Sequence, residues 1–540
     1  MSSSKVLFAQ INPKVGDIDG NAKRVIEIID EAAQTDADII LFPELVLCGY
    51  PPEDLLLRPS MYLRISRALD HIRERVTDQI VVIGYPIEED GSRYNVAGVF
   101  LQGQKIAEYK KRKLPNYRVF DEKRYFSNGR DICTFKHKGI TYGLTLCEDL
   151  WHEEPAEETI AAGAQVLINI NASPFQTSKI AERRALLETR SSKLHVPILY
   201  LNLVGGQDEL VFDGGSMAID GASNITYQAP WFSESIDLVS ISIDGGTAQS
   251  TAEVRSVPDK LESVYSALVL GVRDYVRKNG FPGVILGLSG GIDSALTLAV
   301  AVDALGADHV EAVMMPYRYT SDMSRGDAAE QSQRMGVAHK VIDIEPMVTA
   351  FNAALAPEFK GLSQDTTEQN IQSRCRGTLL MAISNKKGSL VLTTGNKSEM
   401  AVGYATLYGD MAGGFDVLKD VSKLLVYELA EYRNTIEHVI PQRVIDRPPS
   451  AELAPDQVDE DNLPPYEVLD VILEKYIEQD MSAQAIIDEG FEGAVVEKVV
   501  RLVDINEYKR RQAAVGPRVT KRGFGRDRRY PISNGWKMGE

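Results

Sequence analysis

The stretch Val284-Ile285-Leu286-Gly287-Leu288-Ser289-Gly290-Gly291-Ile292-Asp293-Ser294 decides how the second half of this chain folds. Its apolar start reads as a buried strand and a helix opens at Asp293, so the paired glycines form the turn between them. Adjacent glycines let backbone approach a ligand closely, and a helix start offers unpaired N–H groups at its positive dipole end. Ser289 and Ser294 add hydroxyl donors. Gly287, Leu288, Ser289, Gly290, Gly291, Ile292, Asp293 and Ser294 therefore form a candidate phosphate cradle. No Gly-Lys-Ser/Thr is present, which excludes the Walker loop. The competing reading is a plain glycine turn with Asp293 as helix cap. The strand before and the helix after weigh against it.

Downstream, apolar runs and helical patterns alternate: VEAVMMP, a helix over 324–335, HKVIDI, a helix over 366–386, and SLVLTTGN. A helix over 261–278 precedes the glycine turn. This βαβ succession implies a parallel sheet with right-handed crossovers. Ligands bind at the carboxyl ends of such strands. Thr393-Thr394-Gly395-Asn396-Lys397-Ser398-Glu399 occupies one such end and the glycine turn another. Asp293 and Glu399 then stand where they would share a magnesium ion on a nucleotide's phosphates. A solvated first-turn carboxylate is the plainer reading of Glu399.

The first half alternates as well. Strands are expected at 6–10, 39–42, 80–84, 95–101, 104–109, 140–146, 165–170 and 197–203, with helices over 21–33, 155–162 and 178–194. The paired strands between 94 and 109 read as a hairpin, so the sheet is not plainly doubly wound. A polar, Gly-containing stretch with Pro258 places the boundary, giving domains 1–245 and 262–540 joined by a linker at 246–261. Cores rarely grow past about 250–300 residues before a chain divides, and 540 residues exceed that.

Three separated residues stand beside strand ends in the first half: Glu44 in FPELVLCGYP, Lys111 in YKKRKLPNY, and Cys147 in LTLCEDLW. Thiol attack on an amide needs a base, an oxyanion donor and a proton for the leaving group. A carboxylate, an ammonium and a thiol supply these, and a nearby lysine favours the thiolate. Taken singly, each has a bland reading: a helix-start carboxylate, a solvated basic run, a buried structural thiol. No histidine lies in these segments, which argues against a papain-like dyad.

Composition is ordinary for a soluble globular chain, with 44% hydrophobic and 25% charged residues. No apolar run approaches the roughly 20 residues of a bilayer span, and the N-terminus lacks signal-peptide features. Cys48, Cys133, Cys147 and Cys375 show no CxxC spacing, so zinc is not expected, and free thiols point to the cytoplasm. The net charge of −18 argues against nucleic acid as a partner. The tail over 509–537 is the local exception, with ten Lys/Arg against the single acid Asp527. It reads either as a solvated or salt-bridged edge or as a clamp on substrate phosphates.

Glu44, Lys111 and Cys147, in that order and with Tyr109 and Leu114 in a Tyr-x-Lys-x-x-Leu register, resemble the nitrilase or carbon–nitrogen hydrolase superfamily. Lys113 departs from it, because free-standing members usually carry histidine there. LPNYRVFDEKRYF and CEDLW are similar to the glutaminase domain of glutamine-dependent NAD synthetases. The SGGIDS loop resembles that of enzymes splitting ATP between the α and β phosphates. With TEQNIQSR, YGDMAGG and PSAEL it looks like the NAD synthetase family.

The resemblance covers nearly the whole chain. It implies an N-terminal nitrilase-like α-β-β-α sandwich and a C-terminal Rossmann-like ATP pyrophosphatase domain, both α/β. It implies amidation of deamido-NAD with ammonia released from glutamine and passed between two sites. Tyr117, Ser173 and Lys179 would hold glutamine, with Glu122 and Glu148 as further carboxylates. Thr394 would contact ATP, and Asn370, Glu399 and Lys509 would contact deamido-NAD. Tyr317 stands where a small residue is expected, which bears on ATP contacts around 315–321. A homo-oligomer requiring magnesium, with neither nucleic-acid nor membrane partner, completes the expectation. Another amide ligase with this loop, or a sulfur transferase acting on tRNA, is the alternative. The second of these wants paired thiols, and the second half has only Cys375.

Overall fold

Strands apolar on both faces need cover on both sides, and the chain supplies it in two units, Met1–Asp259 and Lys260–Glu540. The structure is a computed structural model and describes residues 2–244, 247–455 and 457–536. Among the described residues no helix is long and apolar enough to cross a membrane.

The first unit contains β1 (Ser2–Gln10), β2 (Ile39–Leu41), β3 (Ile80–Glu89), β4 (Ser92–Leu101), β5 (Gln104–Lys110), β6 (Thr134–His137), β7 (Ile140–Leu146), β8 (Val166–Asn171) and β9 (Ile198–Asn202). It continues with β10 (Val204–Gln207), β11 (Leu210–Asp213), β12 (Met217–Ile219), β13 (Ile225–Gln228), β14 (Ser235–Asp244) and β15 (Thr247–Thr251). One sheet runs β15-β14-β1-β2-β3-β4-β5 and a second runs β13-β12-β9-β8-β7-β6. Side chains alternate along each strand. Thus Val6 and Phe8 pack with Leu144, Leu146, Ile168 and Ile170 between the sheets. Leu7 and Ala9 face the other way, onto Val25 and Ile28 of the helix Ile18–Ala32 and Ile65 of the helix Pro59–Arg73. The outer face of the second sheet packs Leu167 and Ile198 on Ala156 and Leu187, from helices Glu153–Ala161 and Lys179–Leu194. The result is a four-layer helix–sheet–sheet–helix sandwich.

The expected hairpin is present as β4 and β5, but β3 pairs antiparallel with β4 too, making a three-stranded meander. The stretch expected to be a linker carries β15, paired antiparallel with β14. Gly245 and Gly246 lie outside the described residues. The next helix, Lys260–Lys278, opens the second unit.

In the second unit β16 (Val284–Gly287), β17 (Val310–Met314), β18 (Ala338–Val341), β19 (Leu390–Thr393) and β20 (Phe415–Asp416) form a parallel sheet in the order β18-β17-β16-β19-β20. The order reverses between β16 and β19, and the crevice outside those strand ends is where such folds bind ligands. The helix after the glycine turn spans Ile292–Leu305 and is capped by Gly291, so Asp293 sits in its first turn and not at the cap. Helices Tyr466–Leu473, Ala483–Asp488 and Gly493–Ile505 build a separate apolar cluster around Leu469, Ile472 and Val499.

The basic tail is fastened within the unit. Lys509 donates to the carbonyls of Gly403 and Ala405, at 2.7 and 2.9 Å. Arg510 and Arg511 pair with Glu507, Arg518 with Asp527, and Arg522 and Arg528 with Asp480. Asp420 accepts from the backbone of Val519 and Thr520 and pairs with buried Lys397 at 2.9 Å. Of the two readings of this segment, the geometry favours a salt-bridged strap. Lys537 lies outside the described residues.

Ile168 is fully buried between the two sheets of the first unit. Ile168→Ala is expected to cost about 2–5 kcal/mol. Urea unfolding followed by the fluorescence of Trp151 and Trp231, both in that unit, would show it as a lowered midpoint.

Candidate functional site

The carboxyl ends of β2, β5, β7 and β8 bring the first constellation together. Glu44 follows β2, Lys111 follows β5 and Cys147 follows β7. Cys147 has a positive φ of 41°, a sharp turn that opens the short 3-10 segment Cys147–Trp151. Strain of this kind in a residue other than glycine is characteristic of functional sites. Glu44, Lys111, Glu122 and Cys147 are all buried. The Lys111 Nζ lies 2.7 Å from Glu44 Oε1 and 2.8 Å from Glu122 Oε1. Glu44 also accepts from Asn95 Nδ2 at 2.8 Å and from the Ala172 N–H at 2.9 Å. Tyr50 donates to Glu122 at 2.9 Å.

Burial alone would neutralise Lys111, but the charges of Glu122 and Glu44 outweigh it and hold the ammonium well above the ordinary lysine range. Burial pushes Glu122 up to about 7, opposed by Lys111 and reinforced by Glu44. The Cys147 thiol is also raised well above its ordinary value, first by burial and then by the charge of Glu44, with Lys111 opposing. Lys111 thus favours the thiolate, as its type and place suggest, but burial and the Glu44 charge outweigh it.

The residues expected to hold glutamine lie around this centre. Tyr117 is half exposed and donates to both Glu148 oxygens, at 3.1 and 3.0 Å. Ser173 is buried, with its N–H on Asn202 Oδ1 at 2.9 Å and its carbonyl accepting from Arg183 at 3.1 Å. Arg183 is itself fully buried against Asp213. Lys179 Nζ stands 3.7 Å over the Trp151 ring, and burial lowers its pKa. Cys48, Cys133 and Cys375 are buried free thiols, as is Cys147.

The second constellation lines a cavity of about 310 Å³ outside the ends of β16 and β19. Gly287, Leu288, Ser289, Gly291, Ile292, Asp293, Ser294, Thr394 and Glu399 all face it. Gly290 is not among the lining residues. Its φ is +83°, and a Cβ there would stand 2.3 Å from the Ser324 carbonyl oxygen. Its own carbonyl accepts from Arg447. Ser289 and Ser294 brace the loop: Ser289 Oγ accepts from the Gly291 N–H at 3.1 Å, and Ser294 Oγ donates to the Gly291 carbonyl at 3.0 Å. Ser294 thereby spends on the loop the proton expected for a phosphate.

Asp293 and Glu399 converge on one ammonium, Lys423 Nζ, at 2.5 and 3.3 Å. Asn396 donates to Asp293 at 2.8 Å and caps the helix Lys397–Val402 by accepting from the Glu399 N–H at 3.0 Å. Burial raises Glu399 to about 8, with Lys423 opposing and Asp293 adding to it. Burial also raises Asp416 to about 7 and Asp410 to about 6, and both line the cavity. Among the described residues no group of three His, Cys, Asp or Glu side chains is arranged to hold a metal. Two converging carboxylates with room for phosphate oxygens do suit magnesium, which is commonly held by one or two carboxylates and its nucleotide.

Asn370 and Lys509 stand outside the lining, meeting the loop that carries Asp410. Asn370 accepts from Thr406 Oγ1 at 2.8 Å, and Lys509 holds the Gly403 and Ala405 carbonyls. Tyr317 packs in the core with Val313, Ile344 and Val348, while Met315 and Thr320 reach the cavity. Its bulk is therefore absorbed away from the ligand space. Asn95, Lys423, Arg447 and Asp459 escape a sequence reading. Arg447 adjoins the PSAEL motif, the one local signal among them.

The chain matches two family models: carbon-nitrogen hydrolase over residues 5–253 and NAD synthase over residues 264–513. It is 51% identical over 540 residues to the glutamine-dependent NAD(+) synthetase of Acinetobacter baylyi, covering 99% of each chain. It is 50% identical over 542 residues to the enzyme of that name from Xylella fastidiosa strain 9a5c, again covering 99% of each. A solved structure of glutamine-dependent NAD+ synthetase from Acinetobacter baumannii, in complex with adenosine diphosphate, superposes with a TM-score of 0.81 at 48% identity, covering 100% of both chains.

Gly290→Ala forces a left-handed backbone on alanine and drives its Cβ against a carbonyl. Nucleotide affinity, measured by calorimetry with ATP, is expected to fall at least about tenfold.

Proposed function

The chain belongs to the glutamine-dependent NAD(+) synthetases and is a ligase that builds NAD with nitrogen from glutamine; we propose the residues and steps by which it does so. The observation that carries the reading is the buried Lys111 ammonium, paired with Glu44 and Glu122 and within electrostatic reach of the Cys147 thiol.

In the first unit Glu44 takes the Cys147 proton as sulfur attacks the side-chain amide of glutamine. Lys111 Nζ stabilises the tetrahedral oxyanion. The proton passes to the departing ammonia, and water resolves the thioester to glutamate. Tyr117, Ser173 and Lys179 hold the glutamine.

In the second unit the nicotinate carboxylate of deamido-NAD attacks the α-phosphate of ATP and pyrophosphate departs. Ammonia then displaces AMP and gives NAD. A carboxylate is a poor electrophile for ammonia, and adenylation supplies the leaving group. The 287–294 loop and Thr394 cradle ATP, with Lys423 and Arg447 as cations lining the same cavity. Asn370, Glu399 and Lys509 contact deamido-NAD. Magnesium held by Asp293 and Glu399 would supply positive charge to the phosphates. Ammonia free in water would be protonated and lost, so it passes between the sites by a protected route. The enzyme works in the cytoplasm as a homo-oligomer, with no nucleic-acid or membrane partner.

NAD formation from deamido-NAD, ATP and magnesium, with glutamine or ammonium as sole nitrogen source, tests the scheme. Cys147→Ala is expected to reduce the glutamine-driven rate on the order of a thousandfold and to spare the ammonium-driven rate. Equal loss of both would sink the division of labour. Asp293→Asn is expected to lower both rates together, and an unchanged ammonium-driven rate would remove Asp293 from the metal site.

A further inference from the structure

Lys111 and Cys147 come from different sheets, β5 in one and β7 in the other. Their mutual position therefore depends on something that crosses between sheets. Asp149 ties the two segments themselves. Asp149 is fully buried, and each of its oxygens accepts two hydrogen bonds. Oδ2 takes the N–H of Leu146, just before the thiol, at 3.0 Å and the Tyr109 hydroxyl at 2.8 Å. Oδ1 takes the N–H groups of Arg112 at 3.1 Å and Lys113 at 2.7 Å.

We infer that Asp149 is a positioning residue for amide cleavage, a single carboxylate that sets the oxyanion donor Lys111 in register with the nucleophile Cys147. The inference rests on the roles proposed above for those two residues. The donors bracket Lys111 on both sides, at 109, 112 and 113, and grip the turn of Cys147 at 146. A helix-start aspartate acting only as a local cap would need Leu146 alone. Three of the four donors come instead from the lysine segment. A carboxylate has about four lone-pair sites, and here all four are matched, which offsets the cost of burying the charge. The arrangement also accounts for two motif positions with no chemical part in the reaction: Tyr109 two residues before the lysine, and Asp149 two residues after the thiol.

Asparagine at 149 keeps the shape but turns an NH₂ toward two of the donors. Glutamine hydrolysis by the full-length enzyme is measured per reactive thiol, titrated with a glutamine-derived chloromethyl ketone, so that the amount of folded enzyme drops out. Asp149→Asn is expected to lower kcat per titrated thiol at least about tenfold, the scale of a misplaced reacting group. KM for glutamine should stay within about twofold, since the residues proposed to hold glutamine are untouched. Tyr109→Phe removes one donor of the four and should lower kcat less, with KM again unchanged; it carries the test if Asp149→Asn fails to fold. An unchanged kcat in the variant that folds, or a loss carried by KM alone, overturns the inference. Cys147→Ala, assayed per mole of folded protein because it has no thiol to titrate, separates the levels: if it still hydrolyses glutamine the proposed chemistry itself fails, whereas an inactive Cys147→Ala beside a normal Asp149→Asn overturns the positioning role only.

Discussion

A lysine ammonium without access to water is the constraint on which the first unit depends. Lys111 is buried to 1% exposure, and stripping a charge of its hydration costs several kcal/mol unless partners replace the water. Glu44 and Glu122 replace it, and each is pinned in turn, Glu44 by Asn95 and the Ala172 backbone, Glu122 by Tyr50. Those pins come from β4, the end of β8 and the loop before residue 52. A single charge thus recruits backbone and side chains from elements far apart in sequence, and a sheet slipped by one residue would leave it unpaired.

The second unit solves a similar problem with unrelated parts. Lys423, also almost wholly buried, meets Asp293 from the glycine turn and Glu399 from the turn after β19. Burial opposes its charge and the two carboxylates restore it, holding it above the usual lysine range. Glu44, Asp293 and Glu399 stand past the carboxyl ends of parallel strands, where backbone no longer consumes every polar group, whereas Glu122 comes from a short 3-10 segment. The difference lies in access. Lys111 has its acids in a buried core, whereas Lys423 lines the cavity outside the ends of β16 and β19.

What could be read from the sequence follows this division between local and distant causes. Apolar runs and glycine turns fix β16, β19 and the strands that deliver Glu44 and Cys147, because those signals lie within a few residues. β15 reads as a linker because Thr247–Thr251 carries no apolar alternation; only its pairing with β14 makes it a strand. β20 is two residues long and preceded by Gly413 and Gly414, too short for any period to register. Lys423, Arg447 and Asn95 belong to residue types common on exposed helices and strands, and their importance appears only once each unit folds around its own site. Tyr317 illustrates the reverse: an unexpected ring near a ligand loop is accommodated by turning into the core.

The walls of the nucleotide cavity run from Gly287 to Ala514, and Asp416 of its last strand bonds the Val515 carbonyl at 2.7 Å. The first unit has all of its strands by residue 251. At roughly 5–20 residues per second, the ribosome finishes one catalytic body tens of seconds before the other is complete. Chain order therefore imposes a schedule on assembly: a stalled or nicked transcript yields a thiol-bearing sandwich without a nucleotide fold, and never the reverse.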